Sequence, residues 1–365
     1  MQIANVISVL EQIAPSTYQE SYDNAGLITG NSQWQCSGII CSLDATEAVI
    51  EEAIQKNCNL VIAHHPIVFS GIKKLNGKNY IEKAVIKAIK NDIAIYAIHT
   101  NLDNVLDGVN KAIAEKIGLV NVEILAPKAN LLTKLCTYVP FGYVDQVRDA
   151  IFNVGGGNIG NYNECSFLAE GIGTFKANKN ASPFVGEIEK RHEEREMKLE
   201  IVFPTYLQNK VVQALKETHP YEEVAYDLVP LLNVHEQVGS GVIGNLENPM
   251  NEIDFLNNLK QTFGLQVIKH TNLFNKTIEK VAICGGAGSF LIKNAIAAKA
   301  DIYITADVKY HEFFDANEQI VIADIGHWES EQFTTNLLIH VLQSKFPTFA
   351  VLKSEVITNP VRYFL

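Results

Sequence analysis

Two short apolar runs of this 365-residue chain end in side chains that can bind a cation. Residues 59–63 lead into His64-His-Pro66, and residues 93–98 lead into His99, which is followed closely by Asp103. Short apolar runs between helical patterns predict buried parallel strands. Because open α/β sheets bind ligands at the carboxyl ends of such strands, we expect a site at this edge.

The C-terminal part of the chain supplies further donors at a strand end. Its last core strand stops just before His327, and Glu331 follows in the first turn of the next helix. With His64, His65 and Asp103, these residues make three imidazoles and two carboxylates. Five donors exceed the need of one closed tetrahedral site and suit a pair of cations with open positions for water. Neighbouring His64 and His65 point in different directions on an extended backbone, so each is predicted to bind a different cation.

Each of these motifs also has an ordinary structural interpretation. His64-His-Pro66 fits a turn, and Glu331 fits a first helical turn, where the helix dipole favours a carboxylate. His99 is interpreted as a strand-end residue or as a partner that orients a ligand, rather than as a ligand. The convergence of all the motifs at strand ends favours the metal site.

Composition limits the classes of function. The net charge of −11 and a pI near 5.4 argue against general nucleic-acid or membrane-surface binding. No apolar run reaches membrane-spanning length, and the N-terminus lacks the pattern of a signal peptide. The six cysteines are scattered and predict small core residues in a reducing compartment. We therefore expect a cytoplasmic protein.

The alternation of strands and helices predicts an α/β protein with two layered lobes. Residues 1–128 form the first lobe and residues 234–365 the second, each with a largely parallel sheet. Between them, residues 129–233 have the order strand, helix, strand, strand, helix, strand. We interpret that block as an inserted ferredoxin-like α+β domain, with an exposed polar loop over residues 177–194.

Five motifs run through the chain from end to end: Tyr22-Asp-Asn-Ala-Gly-Leu27, His64-His-Pro66, His99-Thr-Asn-Leu-Asp103, Thr305-Ala-Asp-Val-Lys-Tyr-His311 and Asp324-Ile-Gly-His-Trp-Glu-Ser-Glu331. In their order and spacing the chain resembles an insert-containing bacterial member of the GTP cyclohydrolase 1 type 2 family, the NIF-three-like proteins. Ala306 stands where that family usually has Gly, and Tyr22 stands where Trp is common. Neither departure touches an expected ligand.

The resemblance implies a dinuclear metal centre formed by His64, His65, Asp103, His327 and Glu331, with Glu331 as the bridge. It also implies a toroidal homohexamer and an insert similar to PII- and CutA-like domains. The implied activity is opening of the guanine imidazole ring of GTP with release of formate.

Other polar segments have two interpretations each. Asp307 and His311 are predicted to position groups or transfer protons in the same crevice, although Asp307 also fits a helix cap. The glycines of residues 285–288 fit a phosphate cradle or, more simply, a tight turn. His219 with Glu222 fits a cation site or a turn with exposed acids. Asn24 is interpreted as a turn former or as a residue that positions a ligand, and not as a catalytic group.

We predict a metal-dependent hydrolase of a small metabolite, with His311 protonating the leaving nitrogen. Mixed imidazole and carboxylate donors suit Zn, Fe, Mn or Co better than Mg or Ca. No purine-reading or triphosphate-binding motif is recognisable. The alternative is a metal-binding or metal-delivery protein whose insert senses a small molecule. A scaffold role rests on the naming of eukaryotic members, and the acidic charge gives no support to direct DNA binding.

Overall fold

The structure is a computed structural model that describes residues 1–364. Within them, strands β1 to β15 cover Gly26–Thr29, Ile39–Asp44, Leu60–His65, Ala94–Ala97, Leu119–Ala129, Leu132–Pro140, Phe167–Lys176, Arg191–Pro204, Tyr226–Leu231, Val234–Asn251, Lys269–His270, Thr277–Ala287, Ile302–Ala306, Val321–Asp324 and Val351–Lys353. Helices α1 to α11 cover Ile3–Ile13, Glu47–Gln55, Tyr80–Lys90, Thr100–Asp103, Val109–Ile117, Val144–Asn153, Gln208–Thr218, Glu252–Phe263, Ile292–Ala297, His327–Glu331 and Thr334–Lys345. Short 3-10 turns cover Ser16–Tyr18, Phe141–Tyr143, Thr205–Leu207, Ser289–Leu291 and Tyr310–Ala316.

The chain divides into two compact units. One unit combines residues 1–126 with the chain from Gln237 onward, and the other is residues 127–236. The mixed α/β class is confirmed. The assignment of residues 129–233 as an inserted domain stays a prediction.

The larger unit contains two sheets with parallel centres. In the five-stranded sheet the order is β1-β4-β3-β2-β15, and only β1 pairs antiparallel to its neighbour. The six-stranded sheet has the order β11-β14-β13-β12-β10-β5, with β12, β13 and β14 parallel. Strands β3 and β13, inside the two sheets, are buried at nearly every position, which explains their nearly continuous apolar sequences.

Parallel strands point their carboxyl ends to one edge, and the predicted ligands follow those ends. His64 and His65 close β3, and Asp103 lies in α4, just after β4. His327 begins α10 after β14, and Glu331 ends the same short helix. The fold therefore collects donors that are up to 267 positions apart in sequence on one unit.

The smaller unit contains one antiparallel sheet with the order β7-β8-β6-β9. The predicted order strand, helix, strand, strand, helix, strand is confirmed for residues 132–231. Helices α6 and α7 bury their apolar stripes with inward strand residues such as Leu199 and Phe203. The exposed loop is shorter than predicted, because β8 begins at Arg191 and extends the hairpin with β7.

Several predicted elements differ from the structure. The helix that a cap at Asp307 would begin is a 3-10 turn, which ends where Asn317 and Glu318 adopt positive φ angles of 46° and 56°. The last helix is broken into α10 and α11. Strands β5 and β15 were not predicted, because both lie at sheet edges and lack a continuous apolar run.

Two further observations concern membrane-spanning helices and the state of the cysteines. Among residues 1–364, no helix combines the length and apolar character needed to cross a membrane. All six cysteines are free thiols, and five of them are buried.

Candidate metal centre

His64 is a completely buried imidazole whose position is set by a backbone carbonyl. Its Nδ1–H donates to the Ile98 carbonyl oxygen at 2.8 Å, so Nε2 is left facing the centre of the cluster. Nε2 lies 3.6 Å from Asp103 Oδ1 and 3.9 Å from Glu331 Oε1. Neither His64 Nε2 nor Asp103 Oδ1 has a hydrogen-bond partner within residues 1–364, although both atoms are buried.

His65 points in another direction, as expected for neighbours on a strand. Its Nδ1–H donates to Asp44 Oδ1 at 2.8 Å, and Thr358 in turn donates its hydroxyl to Asp44 Oδ2 at 2.5 Å. His65 Nε2 then lies 2.9 Å from Glu331 Oε2 and 3.4 Å from His327 Nε2.

His327 and Glu331 lie four residues apart on α10, so both side chains share one helix face. His327 Nδ1–H donates to Asp307 Oδ2 at 2.7 Å, and its Nε2 lies 3.2 Å from Glu331 Oε2. The side chains of His65, His327 and Glu331 are thus positioned to hold a metal ion. This pattern, an imidazole with one nitrogen tied to a carboxylate and the other free for a cation, is usual at metal sites.

The backbone makes room for the Glu331 carboxylate at Gly286. A Cβ at that position would overlap Glu331 Oε1, and the Gly286 φ angle of 63° is one that favours glycine. The Gly286 N–H donates to Ser330 Oγ at 3.0 Å, which ties β12 to α10. The glycine-rich segment therefore shapes the carboxylate site, and Gly285–Ala287 belong to strand β12 instead of forming a phosphate-binding turn before a helix.

Burial and neighbouring charged groups shift the pKa values of all five predicted ligands. Burial raises the pKa of Asp103 well above its usual range, and the nearby Glu331 carboxylate adds to the shift. For Glu331, burial acts in the same direction, but the neighbouring imidazoles of His327, His64 and His65 outweigh it and hold the pKa of Glu331 well below its usual range. Burial lowers the pKa of His64. For His65 and His327, hydrogen bonds to carboxylates outweigh burial and raise the pKa to about 10 and about 9.

The cluster opens into a cavity of about 850 Å³, a volume suited to a small molecule. Aromatic side chains line this cavity: Tyr22, Phe69, Phe290, Trp328 and Tyr363. Lys269 also lines it and pairs with the buried Asp324 at 2.5 Å. The cavity therefore combines the polar cluster at its base with several aromatic side chains in its wall.

The two residues predicted to act in catalysis have different positions. Asp307 lines the cavity and orients His327, so it lies within the predicted crevice. His311 is exposed, is not among the residues that line the cavity, and contacts the rings of Tyr310 and Phe314. The structure therefore brings Asp307, but not His311, to the cluster.

His99 and Asp23 form a pair that the sequence motifs only suggested. The His99 ring centre lies 5.3 Å from that of His64 and 5.4 Å from that of His65. Its Nδ1–H donates to Asp23 Oδ1 at 2.8 Å, while Thr100 donates through its backbone N–H and hydroxyl to Asp23 Oδ2. Asp23 orients the His99 imidazole, and Asp44 orients the His65 imidazole. Neither carboxylate was predicted as a site residue. Asp44 ends strand β2, and that position was an available signal.

The remaining polar segments have structural partners. His219 is buried, and its Nε2–H donates to the Tyr138 carbonyl oxygen at 3.0 Å, while Glu222 accepts the Ser182 N–H at 2.8 Å. These bonds fit the turn interpretation. The Asn24 amide donates to the Val68 carbonyl oxygen at 2.6 Å and links two loops.

The comparison with known sequences agrees with the motifs. The sequence model of Duf34/NIF3 (NGG1p interacting factor 3) matches residues 1–360. The chain belongs to this family. The predicted resemblance to NIF-three-like proteins is therefore confirmed over almost the full length.

Members of the Duf34/NIF3 family with similar length are known from several bacteria. Relatives from Bacillus subtilis (strain 168) and Halalkalibacterium halodurans are 36% and 37% identical to this chain, cover 98% and 100% of it, and span 97% and 100% of their own lengths. Both are named "GTP cyclohydrolase 1 type 2 homolog". The crystal structure of a Bacillus cereus protein related to NIF3 is 35% identical, with a TM-score of 0.88 over 100% of this chain and 99% of that one.

The Asp23 carboxylate provides a test of the packing around His99. Burial acts to raise its pKa, but hydrogen bonds from His99 and Thr100 outweigh burial and lower the pKa to about 2. A carboxylate with a lowered folded-state pKa stabilises the protein above its unfolded-state pKa, and this contribution is lost as pH falls through the folded-state value. We expect Asp23→Asn to reduce the free energy of unfolding by about 2 kcal/mol at pH 7.

Urea denaturation at pH 7, 5, 4 and 3 measures this effect in metal-free protein. The difference between wild type and Asp23→Asn should shrink between about pH 4 and pH 2. An equal difference at pH 7 and pH 3 would show that the carboxylate charge does not stabilise this loop.

Proposed function

We propose that the protein is a dinuclear metal-dependent hydrolase of a small metabolite. The proposed ligands of two divalent cations are His64, His65, Asp103, His327 and Glu331. The observation that supports it most directly is the pair of buried, unpartnered atoms, His64 Nε2 and Asp103 Oδ1, beside the Glu331 carboxylate. A buried polar atom without a partner is costly, and a cation at this place would satisfy both atoms.

The two oxygens of Glu331 face different donors, which supports a bridging role. Oε1 is oriented toward His64, at 3.9 Å from Nε2, and Asp103 lies on the same side. Oε2 is oriented toward His65 and His327, at 2.9 and 3.2 Å. This division yields two groups of donors that share one carboxylate, as the chain's resemblance to its family implies.

The orientation of the imidazoles is the main contribution of the surrounding residues. The Ile98 carbonyl, Asp44 and Asp307 each accept the Nδ1–H of one imidazole and leave its Nε2 for the cation. Imidazole and carboxylate donors fit Zn, Fe, Mn or Co. Cations held here would polarise a carbonyl or C=N group and generate a nucleophile from water near neutral pH.

We propose that the Asp23–His99 pair holds and transfers a proton beside the cluster. The Asp23 carboxylate fixes the Nδ1–H of His99, so Nε2 is the atom available for exchange with a leaving group. Asp307 is a positioning residue, because it acts through His327. The earlier expectation that His311 is the acid rests on its motif alone, since its side chain is exposed in the single chain.

The substrate class follows from the cavity and from the names of the relatives. Aromatic residues around a metal centre fit a planar heterocycle, and hydrolytic ring opening of GTP with formate release is the first candidate. Other cyclic amides and small metabolites fit the same residues. If the purified protein transfers its cation to an apo-acceptor and hydrolyses nothing, metal delivery replaces this proposal.

Metal binding is the first prediction of the proposal. Protein loaded with Zn, Mn, Co or Fe should contain close to two ions per chain by elemental analysis, and His64→Ala and Glu331→Gln should contain fewer. The exposed His340→Ala serves as the control and should match wild type.

Because His65 and His327 have raised pKa values, a cation must displace their protons. The apparent affinity should therefore rise with pH between 6 and 8.

Turnover is the second prediction. The metal-loaded protein is assayed with GTP and with a panel of cyclic amides and phosphoesters. We expect His64→Ala and Glu331→Gln to lower turnover at least about 100-fold, because each removes a donor from the centre. His340→Ala should retain wild-type turnover. Equal turnover by wild type and the donor variants would remove the basis for the site.

We also propose a cytoplasmic homohexamer with residues 129–233 as an inserted domain. The family resemblance supports the hexamer, and the exposed rings of Tyr310 and Phe314, 74% and 68% accessible, are consistent with a contact between chains. Light scattering should give six times the chain mass of 40.4 kDa. A smaller mass at micromolar concentration would contradict the hexamer.

A further inference from the structure

A second cavity, of about 660 Å³, lies within the unit of residues 127–236. Its volume falls in the range of small-molecule sites. Residues of β6, β7 and β8 form its floor, and the segments 177–185 and 221–225 form its other walls. It is separate from the metal centre, and the inference that follows does not depend on the proposed hydrolase activity.

The floor of this cavity is the sheet face that does not contact the helices. On β8, Leu199, Ile201 and Phe203 are buried with α6 and α7. Because strand residues alternate between faces, Glu196 and Lys198 are on the opposite face, and both line the cavity. The two sides of the sheet therefore differ: one packs in the core of the unit, and the other lines the cavity.

Small residues of β7 create the hollow. Gly171 pairs with Glu196 across the strands, and Gly171 and Gly173 share the cavity face. A Cβ at Gly171 would meet nothing within 4 Å, whereas a Cβ at Gly173 would overlap Glu196 Oε2. Glycine weakens a strand and often marks a place where a ligand approaches the backbone. Here the glycines leave open space beside a carboxyl group.

Aromatic rings line this space. The ring centres of Phe184 and Tyr221 are 6.1 Å apart, and those of Phe175 and Tyr221 are 6.3 Å apart. All three residues line the cavity. Tilted rings at these distances provide faces and edges for contact with a planar ligand.

Glu196 is the polar group with the most distinctive environment. It is 8% exposed, and Tyr221 donates its hydroxyl to Glu196 Oε1 at 2.8 Å. The basic residues nearest in sequence pair with other carboxylates, Lys198 with Glu200 at 2.5 Å and Arg195 with Glu170. Among residues 1–364, no cationic side chain forms an ion pair with Glu196. A buried carboxylate is costly without such a partner.

We propose that this cavity binds a small aromatic cation. The aromatic ring lies among Phe175, Phe184 and Tyr221, and an ammonium or amidinium group donates hydrogen bonds to Glu196. The ligand supplies the positive charge that Glu196 lacks, and its ring fills the hollow above Gly171. Charge-assisted hydrogen bonds and aromatic contacts of this kind provide orientation as well as affinity.

The test uses three indoles that differ in charge: tryptamine, which is a cation, tryptophol, which is neutral, and indole-3-acetate, which is an anion. Binding to the full-length protein is measured by ligand-observed NMR and equilibrium dialysis, with phenethylamine and benzamidine as further cations. We expect tryptamine to bind at least about tenfold more tightly than tryptophol, and indole-3-acetate to bind weakest.

Two variants test the charge and the space separately. Glu196→Gln keeps the shape of the side chain and should weaken tryptamine about tenfold without changing tryptophol binding. Its matched control is Glu193→Gln, an exposed position of β8 on the other face, which should leave both affinities unchanged. Gly171→Val places a side chain in the hollow, where a Cβ would meet nothing within 4 Å, and should abolish binding of all the cations. Because valine favours strands, this variant is expected to fold.

Four outcomes would overturn the proposal. The first is the absence of saturable binding for every cation of the panel. The second is equal binding of the three indoles. The third is full tryptamine binding by Gly171→Val with an unchanged melting temperature. The fourth is a changed oligomeric state of Gly171→Val with no ligand binding by wild type, which would assign the cavity to a contact between copies of the chain.

Discussion

The arrangement of the site depends on the Glu331 carboxylate, which is buried beside three imidazoles. Without positive charge around it, an ionised carboxylate in this place would be strongly destabilising. The structure offsets that cost through His65 and His327, whose pKa values are raised because each lies against carboxylate oxygens. His64 presents the bare Nε2 of a neutral imidazole instead, because its Nδ1–H donates to the Ile98 carbonyl oxygen. The same geometry that holds protons is suited to cations, because each imidazole presents its Nε2 to a carboxylate oxygen. Protons and cations therefore compete for one set of atoms.

The backbone brings these groups together through the direction of parallel strands. β3 and β14 belong to different sheets, yet both end at the cluster, and the short helix α10 begins where β14 stops. Carboxylates at the ends of the neighbouring strands then orient the imidazole rings. Asp44 ends β2 beside β3, and Asp307 follows β13 beside β14. Neighbouring parallel strands thus provide a donor and the carboxylate that orients it. This explains why strand ends are an informative place to search for function in such folds.

The sequence predicted the parts of the structure that depend on local pattern. Buried strands such as β3 and β13 are continuous apolar runs, and their ends identified His64 and His65 before any contact was known. Edge strands β5 and β15 were not predicted, because they are stabilised by pairing with strands that are distant in sequence. The partners Asp23–His99 and Asp44–His65 are 76 and 21 residues apart, so no local pattern joins them. His311 shows the opposite error: its motif is close to the site in sequence, but a 3-10 turn directs it to solvent.

Each of the two units places a carboxyl group in a buried site. Gly286 leaves room for Glu331, and Gly173 leaves room for Glu196, since a side chain at either glycine would overlap a carboxyl oxygen. The two sites differ in what surrounds the acid. Imidazoles meet Glu331, whereas a phenol and aromatic rings surround Glu196. Imidazole nitrogens together with carboxylates favour a metal cation, while aromatic faces with one carboxylate favour an organic cation. The glycines of β12 therefore shape a site and do not simply form the turn that their sequence suggested, and those of β7 shape a second cavity.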